Sequence, residues 1–501
     1  MQRKQLTLVI VSLLVVVLSV SLAYFTTQII GKGKTVDVSS ANLQIVFTDS
    51  DGALTETDIE PGWSATKTFT IKNDTKTEYK YNIVIKDLVN TFVTNGYLQY
   101  KITSTNDGYN MTKFKDIPKS SIATDTILAY SVVIPNGVTQ NYTIEFKYAN
   151  DESVDQSDDM GKKLSGTLFI TEGTEDPNKT LYNQLLADKS TKLTRTDFSK
   201  VLTDNNTNTL YTSTEDSKTV YYFAGNATDN WVKFGKNASN KDLYWRIIRT
   251  NADGGVRLLY HGTSTTATDA YIGESKFNTK YNDPMYVGYM YGTSGSLVNN
   301  RTNTNNSTIK GIIDTWYASN LEAKGYTKYL STTAVYCNDR SVTNGTYSTS
   351  SSFKYAAYTR LVINKTPSYD CAATEDKFTA DTSTGNGKLK YPIALMTADE
   401  VSFAGGLYGT NAPTWYYYNS VNGSSTDSTV WWLLSPFDWR GGYAYVFRVY
   451  GSSNPGYLSD YYVIDAYGVR PVISLKSCTL YSTGNGSASD PYTIKETETG
   501  C

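Results

Sequence analysis

Histidine is almost missing from this chain: His261 is the only one in 501 residues. That rules out any site built from several imidazoles. A lone general base would also need a nucleophile and an orienting group that the sequence does not place beside it. Cysteine is scarce too. None of Cys337, Cys371, Cys478 and Cys501 stands in a C-x-x-C pair, so zinc and dithiol redox sites lack their usual signature. Charged residues make up 19% with a net of -2, which leaves no basic footprint for nucleic acid. No G-x-S-x-G, H-E-x-x-H or Walker loop occurs. Carboxylates are numerous enough to supply a glycosidase pair, but nothing singles one out. The chain reads as a binding protein, not an enzyme, with no metal and no cofactor.

What is abundant is tyrosine, 42 of them, set among Gly, Ser, Thr and Asn. Strands take Tyr and Thr, and turns take Asn and Gly, so the profile fits an extracellular β-rich protein. One apolar run, Leu6 to Phe25, is about as long as a bilayer-spanning helix, roughly 20 residues. Arg3 and Lys4 precede it on the side that stays cytoplasmic. An uncleaved membrane anchor is the expected reading, a cleaved signal peptide its rival. Either way the rest is exported, and Cys337–Cys371 and Cys478–Cys501 are candidate bridges. Four cysteines allow three pairings, and reduced thiols stay open.

From Val36 to about Gly173 the pattern alternates with period two, as in Thr66 to Lys72, Tyr79 to Ile85 and Tyr142 to Tyr148. Asp51-Gly52, Pro61-Gly62, Asn95-Gly96 and Asn136-Gly137 punctuate it, which predicts a two-sheet sandwich acting as a spacer. Asp151, Glu152, Asp155, Asp158 and Asp159 lack the ligand spacing of an EF-hand and read as a solvated loop before a calcium site. A linker with a short helix over Thr180 to Leu186 follows. Beyond it, Asn251 to Gly255 is a hairpin turn between apolar strands. Ile312, Ile313, Trp316, Tyr317 and Leu321 share a helix face, and Thr397-Ala398-Asp399-Glu400 is a capping box. Helices against antiparallel strands predict α+β here.

Several segments of this region, in order, resemble a bacterial, Gram-positive-type surface family ending in a C-type-lectin-like domain of the formylglycine-generating-enzyme fold type. They are Tyr244 to Arg249, Ile313 to Tyr317, Cys337 to Ser341, Met396 to Glu400, Trp431 to Pro436 and Gly468 to Pro471. The resemblance implies a scaffold whose variable loops lie between the Trp-Trp segment and the Gly-Val-Arg-Pro strand, and it implies Cys337–Cys371 as a pair. The expected class is then multi-domain. It comprises a transmembrane helix (1–34), an all-β sandwich (36–173), a linker (174–209) and an α+β C-type-lectin-like ligand-binding domain (210–501).

The candidate site is Trp431 to Leu475, where Tyr, Ser, Asn, Asp and Gly mix as they do in binding loops. Period two puts Tyr443, Tyr445, Phe447 and Val449 on one strand face, and Ala444, Val446 and Arg448 on the other. The expected contact residues are Trp439, Arg440, Tyr443, Tyr445, Tyr450, Tyr457, Asp460, Tyr461 and Tyr462. Aromatic faces stack on pyranose rings, and Tyr, Trp and Arg also anchor protein interfaces, so the partner is a protein or glycan outside the cell. The calcium-lectin motifs Glu-Pro-Asn and Trp-Asn-Asp are absent. Some domains of this kind are diversified by retroelements that mutate adenines, and the residue types of Asp438 to Tyr467 match that chemistry. The competing expectation is a structural, pilus-like surface fibre subunit.

Overall fold

The computed structural model describes residues 59–501, apart from 75, 112, 175, 205, 268–269, 413–429, 451–453 and 455. It also describes the backbone of Thr35–Ser40, Leu43–Asp49 and Leu54–Glu56. Two compact units meet in the chain between Pro177 and Asn178.

In the first unit the alternating segments form a six-stranded and a four-stranded antiparallel sheet. Inward residues from both sheets share one core: Phe69, Ile71, Ile102 and Ile144 from the larger, Ile83, Ile85, Leu168 and Ile170 from the smaller. Thr68 and Thr70, which alternate with Phe69 and Ile71, point away from that core, as period two requires. The last strand, Leu164–Glu172, lies between Leu54–Glu56 and Tyr79–Asn90. Asn82 pins its end: the amide donates to the Glu172 carbonyl at 2.9 Å, and the amide oxygen accepts from Thr174 N at 3.1 Å. In the acidic loop, Asp159 accepts from Thr94 N and from the Tyr148 hydroxyl at 2.8 Å, while Asp151 and Asp155 accept from Ser153 and Ser157 backbone. Those carboxylates serve the chain's own donors, and among the described residues no group of acidic, His or Cys side chains could hold a metal.

The second unit corrects the α+β expectation. Its framework is a ten-stranded sheet and an eight-stranded sheet, and its longest described α-helix, Thr308–Tyr317, has 10 residues. The helix at Thr308–Tyr317 and the capping box at Thr397 are both present, but each helix is short and lies against a core made chiefly by strands. The described chain is therefore mostly β-sheet, which overturns the α+β lectin-like class. The expected transmembrane helix falls outside the described residues, and among those described no helix is long and apolar enough to cross a membrane.

The ten-stranded sheet is built on the hairpin of Asp242–Thr250 and Val256–Gly262, closed at Asn251 to Gly255 with Gly254 at φ 82°. Pro471–Leu475 pairs with the second of these strands. Trp245, Leu258, Trp431, Trp432 and Val472 are all buried in one core that draws on both sheets. His261 is buried too, edge-on to Trp231 at 4.5 Å. The helix Leu181–Asp188 belongs to this unit, with Leu181 and Leu185 in its core.

Buried charges are paired within the unit. Glu400 bridges Arg249 (3.0 Å) and Arg257 (2.8 Å), and Arg249 also reaches Glu215 at 2.7 Å. Arg360 joins Asp339 and Asp399, and Arg340 joins Asp376. Disulfides link Cys337 to Cys371 and Cys478 to Cys501.

Candidate functional site

Three strands of the eight-stranded sheet carry the tyrosine cluster: Trp431–Arg440, Tyr443–Val449 and Tyr457–Tyr462, in antiparallel order. The first two are joined by Gly441-Gly442, at φ 59° and 78°. Two successive left-handed residues give a tight turn whose twist matches the strands, and glycine adopts it without strain.

At this turn the rings form a braced series. Tyr443 is 37% exposed and stacks on Tyr281 at 4.7 Å and 12°. Tyr462 follows, 5.7 Å from Tyr443 and 5.9 Å from Tyr445. It stacks in turn on Tyr461 at 4.2 Å. Tyr461 pairs opposite Val446, so the series passes around the sheet edge and continues on the other face. There the Arg448 guanidinium lies 4.1 Å from the Tyr461 ring, 4.6 Å from Tyr450 and 4.8 Å from Tyr467. Tyr450 meets Tyr457 edge-on at 5.6 Å.

Charges hold the turn from below. Arg440 lies 3.9 Å over the Tyr445 ring and pairs with Asp438 at 2.7 Å and with Asp460. Asp460 also accepts from the Tyr408 hydroxyl at 2.6 Å. Asp438 is fully buried beside Lys354, and its Oδ1 has no hydrogen-bond partner among the described residues. Burial raises its carboxyl above the ordinary value, against the pull of Lys354 and Arg440. The Tyr462 phenol is pushed up to about 12, chiefly by its hydrogen bond with Tyr461, and burial pushes Tyr467 up to about 12 as well. Both stay neutral donors near pH 7.

Of the nine expected contact residues, the turn brings Arg440, Tyr443, Tyr445, Tyr461 and Tyr462 together. Tyr450 and Tyr457 sit at the far end of the strands, about 23 Å from Tyr443 at the usual rise per residue. Trp439 is 3% exposed and pairs opposite Phe353, so its ring fills the core and offers no contact surface. Asp460 is likewise committed to the ion network. The expected division of the strand into a buried and an open face also fails past Tyr445: Val446, Phe447 and Val449 are all fully buried. Phe447 packs on Phe437 at 4.9 Å and on Tyr408, which covers the face expected to be open. Two contributors lay outside the expected set. Arg448 was assigned to the opposite face, and Tyr281 lies far upstream, where no local signal marks it.

No family model and no curated protein matches the chain. A solved structure described as AvmM, which catalyzes macrocyclization in alchivemycin A biosynthesis, is similar over 28% of this chain and 98% of that one, at 10% identity and a TM-score of 0.16. A likeness this slight carries no argument about fold or activity.

Proposed function

We propose that this is an exported, cell-surface binding protein of the adhesin type, whose second unit presents the tyrosine series to a protein or glycan and whose first unit is a spacer. The observation that carries the reading is the braced series at the Gly441-Gly442 turn: half-exposed rings already held by stacking and by Arg440, so that little side-chain freedom is lost on contact. Two disulfides fit an oxidising compartment outside the cytoplasm. The test is the double variant Tyr443→Ala, Tyr462→Ala, screened beside the parent chain on intact cells, glycan arrays and surface-protein libraries. Any ligand found should lose at least ~2 kcal/mol of binding with the melting temperature nearly unchanged. A ligand bound equally by both chains refutes the surface.

Diversification by an adenine-mutating retroelement is a further part of this reading. The ion network sets its limits: Asp438 and Asp460 must be spared, while Tyr443, Tyr445, Tyr461 and Tyr462 are free to vary. Neighbouring DNA should then hold a near-copy differing at adenines in those four codons. DNA with no such copy ends the idea.

A further inference from the structure

Six arginines of the second unit are buried, and five of them have a carboxylate or carbonyl partner. Arg249 and Arg257 share Glu400, Arg340 holds Asp376, Arg246 donates to the Ala227 carbonyl and Arg470 to that of Tyr260. Arg448 is the exception. It is 4% exposed, and among the described residues no carboxylate lies within ion-pair distance. Its hydrogen bond runs from Nη2 to the Tyr450 hydroxyl at 2.7 Å, and its Nε is buried without a partner. Three tyrosine rings surround the guanidinium in place of a counter-ion.

Ring faces attract a cation but accept none of its N–H groups in the plane of the guanidinium, where a planar oxyanion binds best. The Tyr450 oxygen already accepts from Arg448, which leaves its own proton free to donate to an incoming anion. Ser459 lies directly across the strand pair from Arg448, a second small hydroxyl beside the fork. The rings of Tyr461 and Tyr467, 5.9 Å apart, flank the same spot with apolar edges and phenol donors. Tyr450 follows directly on the Tyr443–Val449 strand, with its hydroxyl against Nη2.

We propose that Arg448 is the anchor of a carboxylate-binding site, and that the ligand is a carboxylated sugar. The guanidinium takes the carboxylate, and the open edges of the Tyr461 and Tyr467 rings border the pyranose. This rests on the reading of the tyrosine series as a binding surface, and it adds a ligand class. A sugar is favoured over an acidic peptide because the surroundings of the cation are aromatic, three tyrosine rings lying within 5 Å of it.

The experiment is calorimetric titration of the full chain with hexuronate oligosaccharides, their methyl esters, matched neutral oligosaccharides and a Glu-rich peptide, at fixed ionic strength. The free acids should bind at least tenfold more tightly than esters or neutral sugars. Arg448→Gln should remove that preference and leave any weak neutral binding unchanged. If that variant does not fold, Tyr450→Phe, which keeps the ring and removes the hydroxyl, should weaken the acids several-fold and the esters not at all. Equal binding of acids and esters, no binding of the acids, or a preference for the peptide overturns the proposal. Acid binding that depends on Arg448 but survives Tyr443→Ala with Tyr462→Ala would keep this site and refute the wider surface. A different ligand lost in the double variant, with no acid bound, would do the reverse.

Discussion

Glu400 shows how one side chain can hold distant parts of the second unit. Its carboxylate closes the capping box on Thr397 N at 3.0 Å and carries two guanidiniums. Burial opposes its ionisation, but Arg257 and Arg249 outweigh burial and hold it below the ordinary carboxylate value. Glu215 is lowered in the same way, against burial, by Arg249 and Arg257. A depressed folded value means stability that is present above about pH 4.5, the unfolded value, and lost as pH falls through the folded one. The second unit should therefore melt at progressively lower temperature below that pH. In Glu400→Gln the acid limb should flatten, and denaturant titration at pH 7 should show a loss of about 3–5 kcal/mol, because two buried cations lose a partner. Equal acid limbs in both chains would show that other groups control the transition. The capping box was legible in the sequence as Thr397 followed three residues later by Glu400. Its partners were not, since Arg249 lies 151 residues away and nothing local marks an arginine as buried.

Turns and strands were the most readable elements, and facing was the least. Period two correctly groups Tyr443 with Tyr445, but it cannot say which side of a strand another element will cover. Here both sides are covered beyond Tyr445. The open part of the site is consequently set by the turn, whose backbone gives a direct test. Gly442 stands at φ 78° with nothing within 4 Å of an added Cβ, so a substitution there acts through conformation alone. Gly442→Val should cost about 1–2 kcal/mol in urea unfolding, and it should weaken any ligand of the tyrosine series by displacing Tyr443 from Tyr281. Unchanged stability would mean the turn adopts another geometry in solution. Thr397→Ala should cost about 1 kcal/mol through loss of the cap, read in the same assay.

The sandwich was legible across the described strands of the first unit because each declares its inner face by alternation and each turn by its Gly or Asn. In the second unit the helical stretches were also legible, but their weight was not: a few short helices look prominent in sequence beside strands as short as three residues. The two units have separate cores, and all four cysteines lie in the second. Calorimetry should resolve two transitions, each reproduced by the fragments 35–177 and 178–501. Reduction should lower only the second, with the Cys337–Cys371 loop accounting for about 3–4 kcal/mol in the chain-closure model. A single transition, or one lowered in the first fragment by reduction, would refute this partition. The strand that leads out of the first unit, Leu164–Glu172, is bonded along its length to Tyr79–Asn90, over Leu164 to Gly166 to Leu54–Glu56 as well, and is tied at its end by Asn82. A pull applied at Glu172 along the axis of that strand loads its hydrogen bonds to Tyr79–Asn90 together in shear instead of peeling them one by one.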